Sequence, residues 1–153
     1  MKITEILTAD MVVPDMSGTT KSQVLRELAQ PLANGHRELD LATITAVLAE
    51  RERLGSTAIG DGIAIPHGKM PGVKQILGTF GRHRKGVDFE SLDGKPTHLF
   101  FALIAPEDST SLHLKALARV SRLFKDSTFR DRLMAARDAQ EIYGLIVAED
   151  ARY

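Results

Sequence analysis

Cysteine is absent from this chain, which removes disulfides, thiolate nucleophiles and cysteine-ligated metals from consideration. Net charge is absent too: Lys and Arg total 20, as do Asp and Glu. That balance gives no electrostatic reason to expect nucleic acid or an anionic membrane as partner. The longest apolar run, Leu99 to Ala105, falls far short of a bilayer span. The N-terminal MKITEILTADMVV has neither the sustained apolar stretch nor the small-residue cleavage site of a secretory signal. Linkers, internal repeats and low-complexity tracts are also missing. These absences, with the reducing compartment that a cysteine-free chain suits, describe a cytoplasmic protein. Any membrane association would come through a partner, not by direct insertion.

What is present suits one domain, residues 1–153, with a real hydrophobic core: 43% of the residues are hydrophobic and 26% charged. Residues 1–16 alternate loosely and read as a lead-in with a short strand or turn. Thr20 with Gln23 predicts a capping box, followed by Val24, Leu25, Leu28 and Leu32 at helical spacing. Asn34-Gly35 ends that helix, and Pro31 weakens its last turn. Asp40 is a good N-cap for a second helix with the stripe Leu41, Ile44, Val47 and Leu48, stopping at Gly55.

Ser56 to Lys69 (STAIGDGIAIPHGK) changes character, holding three glycines, a proline and one short alternating piece. It reads as loop, short strand, loop. Gln75 to Arg82 reads as a strand, Asp93-Gly94 as a turn, and Leu99 to Ala105 as a central strand covered on both faces. After Pro106, the residues Leu114, Leu117, Val120, Ser121 and Phe124 mark a third helix. Ser127 is placed to cap a fourth, which turns Phe129 and Leu133 inward, and Asp138 with Glu141 to open a fifth. Two helices, a group of strands and three helices predict an α/β fold with one mixed β-sheet sandwiched between α-helices.

The chemistry concentrates at His67. A histidine between Pro66 and Gly68, directly after an apolar strand, sits where α/β sheets usually form sites. Glycine lets the backbone approach a ligand closely. The upstream glycines free backbone N–H groups for an anion, with Ser56, Thr57 and Lys69 as further donors. A surface turn that happens to contain a histidine is the plain alternative. Nucleotide-binding motifs do not fit: Gly55 to Gly60 has the five-residue step of a P-loop, but Asp61-Gly62 stands where Lys-Ser/Thr is required. No histidine pair has zinc-ligand spacing.

Glu52, six residues, then Ile59-Gly60-Asp61-Gly62-Ile63-Ala64-Ile65-Pro66-His67-Gly68, with Arg51 and Gly55-Ser56-Thr57 ahead, resembles the active-site signature of the fructose/mannitol-type enzyme IIA domain of the bacterial phosphotransferase system. The likeness runs more weakly over nearly the whole chain. A free-standing chain of this length is most similar to the nitrogen-regulatory branch.

That resemblance implies a phosphoryl group carried on Nε2 of His67, received from a phosphorylated HPr-like carrier protein without a cofactor or metal. A neutral imidazole is a competent nucleophile toward phosphorus, and phosphoryl transfer depends mainly on positioning and charge stabilisation. Arg51 would offset charge on the phosphoryl group. His113, on the inward stripe of the third helix, would hydrogen-bond His67 or the phosphoryl oxygens. Ser56, Thr57 and Gly68 would line the phosphate. Targets would be regulatory proteins such as sensor kinases or potassium-transport regulators. The other outlet is a sugar-specific role, passing phosphate to a transporter IIB unit. Lys69 reads as solvated, and Arg82-His83-Arg84-Lys85 as an exposed basic hairpin end that could serve in docking. Asp61, close in sequence to the phosphoryl site, must point away, pair with a cation or weaken phosphoryl retention.

Overall fold

The computed structural model describes all of residues Met1–Tyr153. Two short 3₁₀ turns, Ile3–Glu5 and Ala9–Met11, lead into β1 (Val12–Val13). Then follow α1 (Lys21–Gly35), α2 (Leu41–Arg53), β2 (Ala58–Gly60), β3 (Ile63–Ala64), β4 (His67–Lys69), β5 (Leu77–Val87) and β6 (Thr97–Ala105). The chain closes with α3 (Thr110–Leu123), α4 (Ser127–Ala135) and α5 (Ala139–Asp150). The six strands form one mixed sheet in the order β1-β5-β6-β3-β2, with β4 also paired to β6.

Helix starts follow the sequence closely. Thr20 Oγ1 accepts the Gln23 N–H at 3.2 Å, but the returning Gln23 Oε1 reaches Thr19 N at 2.8 Å instead of Thr20, so the box is offset by one residue. Asp40 and Asp138 accept the N–H groups of Thr43 and Glu141. At α4 the cap is Asp126, whose carboxylate accepts from Thr128 N and Phe129 N. Ser127, expected as the cap, is the first helical residue, because the carboxylate one position earlier already holds those donors.

β5 and β6 carry the core. Phe100 to Ala105 are fully buried without alternation, as a strand covered on both faces requires. Adjacent β5 residues show what covers each face. A Cβ at Gly81 would strike Met16 and Leu28, so that side packs under α1. The next residue, Arg82, points to the opposite side, where its guanidinium donates to the carbonyls of Leu133 and Ala136 at the end of α4. Phe80, on the same side as Arg82, stacks on Phe124 at 5.9 Å. The sheet thus lies between α1–α2 and α3–α5.

Two sequence expectations fail in part here. The expectation that Arg82-His83-Arg84-Lys85 is an exposed basic hairpin end holds only for the exposure of Arg84 and Lys85. β5 runs on to Val87, burying Arg82 completely and His83 to 5% exposure. Arg82 also donates to Pro14 O at 3.0 Å, and His83 Nε2 lies 2.8 Å from Gly18 O. These carbonyls satisfy Arg82 Nε and Nη1 and His83 Nε2, which would otherwise be costly to bury, while Arg82 Nη2 has no hydrogen-bond partner. In α3 the inward stripe is His113, Ala116, Val120 and Leu123, whereas Leu114 is 61% exposed. The helix is rotated about one residue from the stripe that the leucines suggested.

Candidate functional site

His67 opens β4 and does not sit in a loop. β4 runs parallel to β6, pairing His67 with Leu103, Gly68 with Ile104 and Lys69 with Ala105. Side chains alternate along a strand, so His67 and Lys69 share the α3 face and Gly68 faces α2. The contacts agree. The His67 ring meets His113 of α3 edge-on, with centroids 5.4 Å apart and planes at 79°. Lys69 Nζ donates to Thr110 Oγ1 at 2.6 Å. A Cβ on Gly68 would collide with Val47 Cγ1 of α2, so glycine is what lets β4 lie this close to the helix.

His67 is half-buried and lines an open pocket of about 370 Å³ with Arg51, Lys69, Thr110, His113 and Leu114. Its Nδ1 lies 2.8 Å from the Ile65 carbonyl. A carbonyl only accepts, so Nδ1 carries the proton and Nε2 keeps its lone pair. Burial holds the His67 pKa below its ordinary value of 6.5, and the Arg51 charge pushes the same way. The Ile65 hydrogen bond and the Glu52 charge oppose them without reversing the result. The ring is therefore neutral near pH 7, with its nucleophilic electron pair on Nε2.

His113 is 5% exposed, and its Nε2 is a buried polar atom with no partner. Burial first, then the charges of His67 and Lys69, bring its pKa down to about 4. Arg51, in the last turn of α2, donates from Nη1 to Gly55 O at 2.8 Å, which curls the side chain over the helix end. Arg51 also lines the pocket. At the N-terminus of α3, Ser109 makes no side-chain cap bond because its Oγ donates to Pro106 O at 2.9 Å. The first-turn amides beside Thr110 are left free to face an anion.

Ser56 and Thr57 are engaged elsewhere. Ser56 Oγ donates to Phe89 O at 2.6 Å and accepts from Ala58 N at 3.1 Å. The Thr57 hydroxyl and N–H both donate to the carboxylate of Glu52. Lys69 is exposed, as expected, and its ammonium reaches Thr110 at the border of the pocket. Its place on the His67 face follows from the two-residue alternation of a strand that begins at the histidine.

The glycines before His67 do not serve it. Gly60 and Gly62 adopt φ of +98° and +76° around Asp61 at +56°, forming the tight β2–β3 turn. β3 pairs Ile63 with Leu99, four residues along β6 from the His67 partner Leu103. The turn is thus roughly 13 Å or more from the imidazole, at about 3.3 Å per residue. The Asp61 N–H donates to Asp93 Oδ2 at 3.2 Å, and Asp61 is not among the residues lining the His67 pocket.

Comparison with known proteins places these features in a family. Residues 5–149 match the family profile described as phosphoenolpyruvate-dependent sugar phosphotransferase system, EIIA 2. A nitrogen regulatory protein of Bradyrhizobium diazoefficiens is 43% identical over 151 residues, covering 99% of this chain and 98% of that protein. The fructose-specific EIIABC component of Bacillus subtilis is 37% identical over 98% of this chain, a region that makes up 24% of that protein. The crystal structure of nitrogen regulatory protein IIA-Ntr from Neisseria meningitidis superposes with a TM-score of 0.87 at 38% identity, covering 94% of this chain and 98% of that one.

Proposed function

The chain belongs to the type-2 enzyme IIA family of the phosphoenolpyruvate-dependent sugar phosphotransferase system, and on that premise we propose that it is a regulatory phosphoryl carrier whose acceptor is His67. The donor is a phosphorylated HPr-like protein. The observation that carries this reading is the Nδ1 contact with Ile65 O at 2.8 Å, which leaves the Nε2 lone pair as the free nucleophile in an open pocket.

The Nε2 pair attacks phosphorus as the nitrogen–phosphorus bond of the donor phosphohistidine breaks, and the donor nitrogen leaves with the bonding electrons. The His67 proton stays on Nδ1 throughout. Arg51 and Lys69 offset charge on the phosphoryl oxygens, and the open end of α3 adds amide dipoles. The unpartnered His113 Nε2 gains a hydrogen-bond partner once a phosphoryl oxygen enters. Gly68 allows close approach, and Ser56 and Thr57 act by shaping the backbone ahead of the site. No nucleotide, metal or other cofactor is needed when the donor is itself a phosphohistidine.

Phosphorylation adds about two negative charges at the pocket mouth, beside the exposed Leu114. A partner docking there would meet a different surface in each state. Sensor kinases and potassium-transport regulators are the kinds of target proposed. The full-length likeness to a nitrogen regulatory protein supports this reading. A second one, delivery of phosphate to a sugar-specific IIB unit, is favoured by the likeness to the fructose-specific component.

Incubation with a phosphorylated HPr-like donor, followed by mass spectrometry, should place one acid-labile phosphate on the native chain and none on His67→Ala. Equal labelling of both would move the acceptor elsewhere. Rapid His67-dependent passage of that phosphate to a IIB unit and on to sugar would replace the regulatory reading with the second.

A further inference from the structure

The carboxylate of Glu52 has no part in the chemistry above, yet it is the buried acid nearest the site in the chain. Its side chain is 5% exposed. It accepts from Lys21 Nζ of α1 at 3.1 Å, from Thr57 N at 3.1 Å, and from the Thr57 hydroxyl. Lys21 is itself held, over the face of Phe89 at 4.9 Å and against Glu90 at 3.1 Å. Thr57 is thereby fixed from both of its donors.

Its carbonyl then accepts the Ile65 N–H at 3.1 Å, and the Ile65 carbonyl takes the proton of His67 Nδ1 at 2.8 Å. A continuous line of hydrogen bonds runs from Lys21 through Glu52, Thr57 and Ile65 to the imidazole. We propose that Glu52 is a positioning residue: through Thr57 it holds the Ile65 carbonyl that keeps the His67 proton on Nδ1, and its negative charge supports the cationic ring that forms when Nε2 bonds phosphorus. This rests on His67 being the phosphoryl acceptor.

A purely structural purpose explains the arrangement poorly. Tying a loop to a helix end needs only neutral groups, and a desolvated ion pair is an inefficient way to gain stability. The sign of the charge matters here. Glu52 and Arg51 are adjacent in α2 and act oppositely on His67, the carboxylate favouring a protonated ring and the guanidinium disfavouring it. The other charged or titratable groups around the ring are Lys69, on its own strand, and His113 of α3. Glu52 is the sole anion among those four neighbours.

The test is nitrogen-15 NMR of histidine-labelled chain, with phosphoryl transfer from the HPr-like donor measured on the same samples. In the native chain His67 should show a protonated Nδ1 and a bare Nε2. Glu52→Ala should convert this to a mixture of tautomers and slow phosphorylation about tenfold or more, as small misplacements of reacting groups do. Glu52→Gln still accepts from the Thr57 N–H, so it should keep the tautomer while lowering the pH at which His67 titrates. A native tautomer and native rate in Glu52→Ala would overturn the proposal. If Glu52→Ala does not fold, an unchanged His67 titration in Glu52→Gln overturns it alone. Failure of the native chain to accept phosphate would defeat the acceptor assignment, while the tautomer measurement would still judge Glu52.

Discussion

His113 offers a pH experiment whose magnitude can be worked out in advance. Its pKa falls from the usual 6.5 to about 4 in the folded chain, because the ring is buried and because His67 and Lys69 face it. The unfolded chain therefore binds more protons between those two values, and stability rises with pH across that window. The contribution is complete above pH 6.5 and is lost as pH falls toward 4. At about 1.4 kcal/mol per pKa unit the full contribution is about 3 kcal/mol, of which about 2 kcal/mol is already gone at pH 5. Carboxylates also titrate in this range, so the native curve alone does not isolate the effect.

The difference between the native chain and His113→Gln does isolate it. Glutamine cannot titrate, and any constant cost of the substitution cancels in the slope. Urea unfolding at half-unit steps from pH 7.5 to 4.5 should show the stability advantage of the native chain over the variant shrinking by about 2 to 3 kcal/mol toward acid. A difference that stays flat with pH would mean that His113 is not held neutral by its surroundings. It would also remove the reason for treating its unpartnered Nε2 as a neutral donor to phosphate.

Gly68→Ala should cost about 1–3 kcal/mol through overpacking against Val47 and should slow phosphoryl acceptance by displacing β4. Adding Val47→Ala should restore the rate, and failure to do so would mean the close approach of β4 to α2 is not what positions His67. Arg82→Met should lower unfolding free energy by about 3 kcal/mol or more, since it strips donors from the buried carbonyls of Leu133 and Ala136. Native-like stability of that variant by urea titration would contradict the assigned role.

Much of the architecture was legible because burial on two faces leaves a plain mark. Leu99 to Ala105 is apolar without alternation, and it is the central strand of the sheet. The caps Asp40 and Asp138 were equally readable, since a carboxylate before an amphipathic run has one obvious use. Legibility failed where tertiary contacts overrode local signals. Arg82 to Lys85 is polar enough to suggest solvent, but α4 ends with carbonyls that need donors, and a guanidinium reaching them is buried with its partners. Leu114 looks like a core residue by type. It is turned outward because His113, one position earlier, occupies the inward stripe.

The site shows the same division between residues that line the pocket and residues that support them. His67 stood out because an imidazole between proline and glycine follows an apolar strand, whereas Arg51 was picked out only by the family resemblance. Ser56, Thr57 and the Gly60–Gly62 turn looked like phosphate ligands because hydroxyls and glycines usually signal anion binding when they crowd a histidine. Pairing with β6 separates them: β3 meets it at Leu99 and β4 meets it at Leu103, so the turn and the imidazole lie at different heights of one strand. Thr57 instead constrains Ile65 by accepting its N–H, and the Ile65 carbonyl decides which imidazole nitrogen is free. In this fold a backbone carbonyl two residues before the histidine leaves Nε2 free, and on the acceptor assignment proposed above, the residues that fix that carbonyl belong to the site's chemistry without touching phosphate.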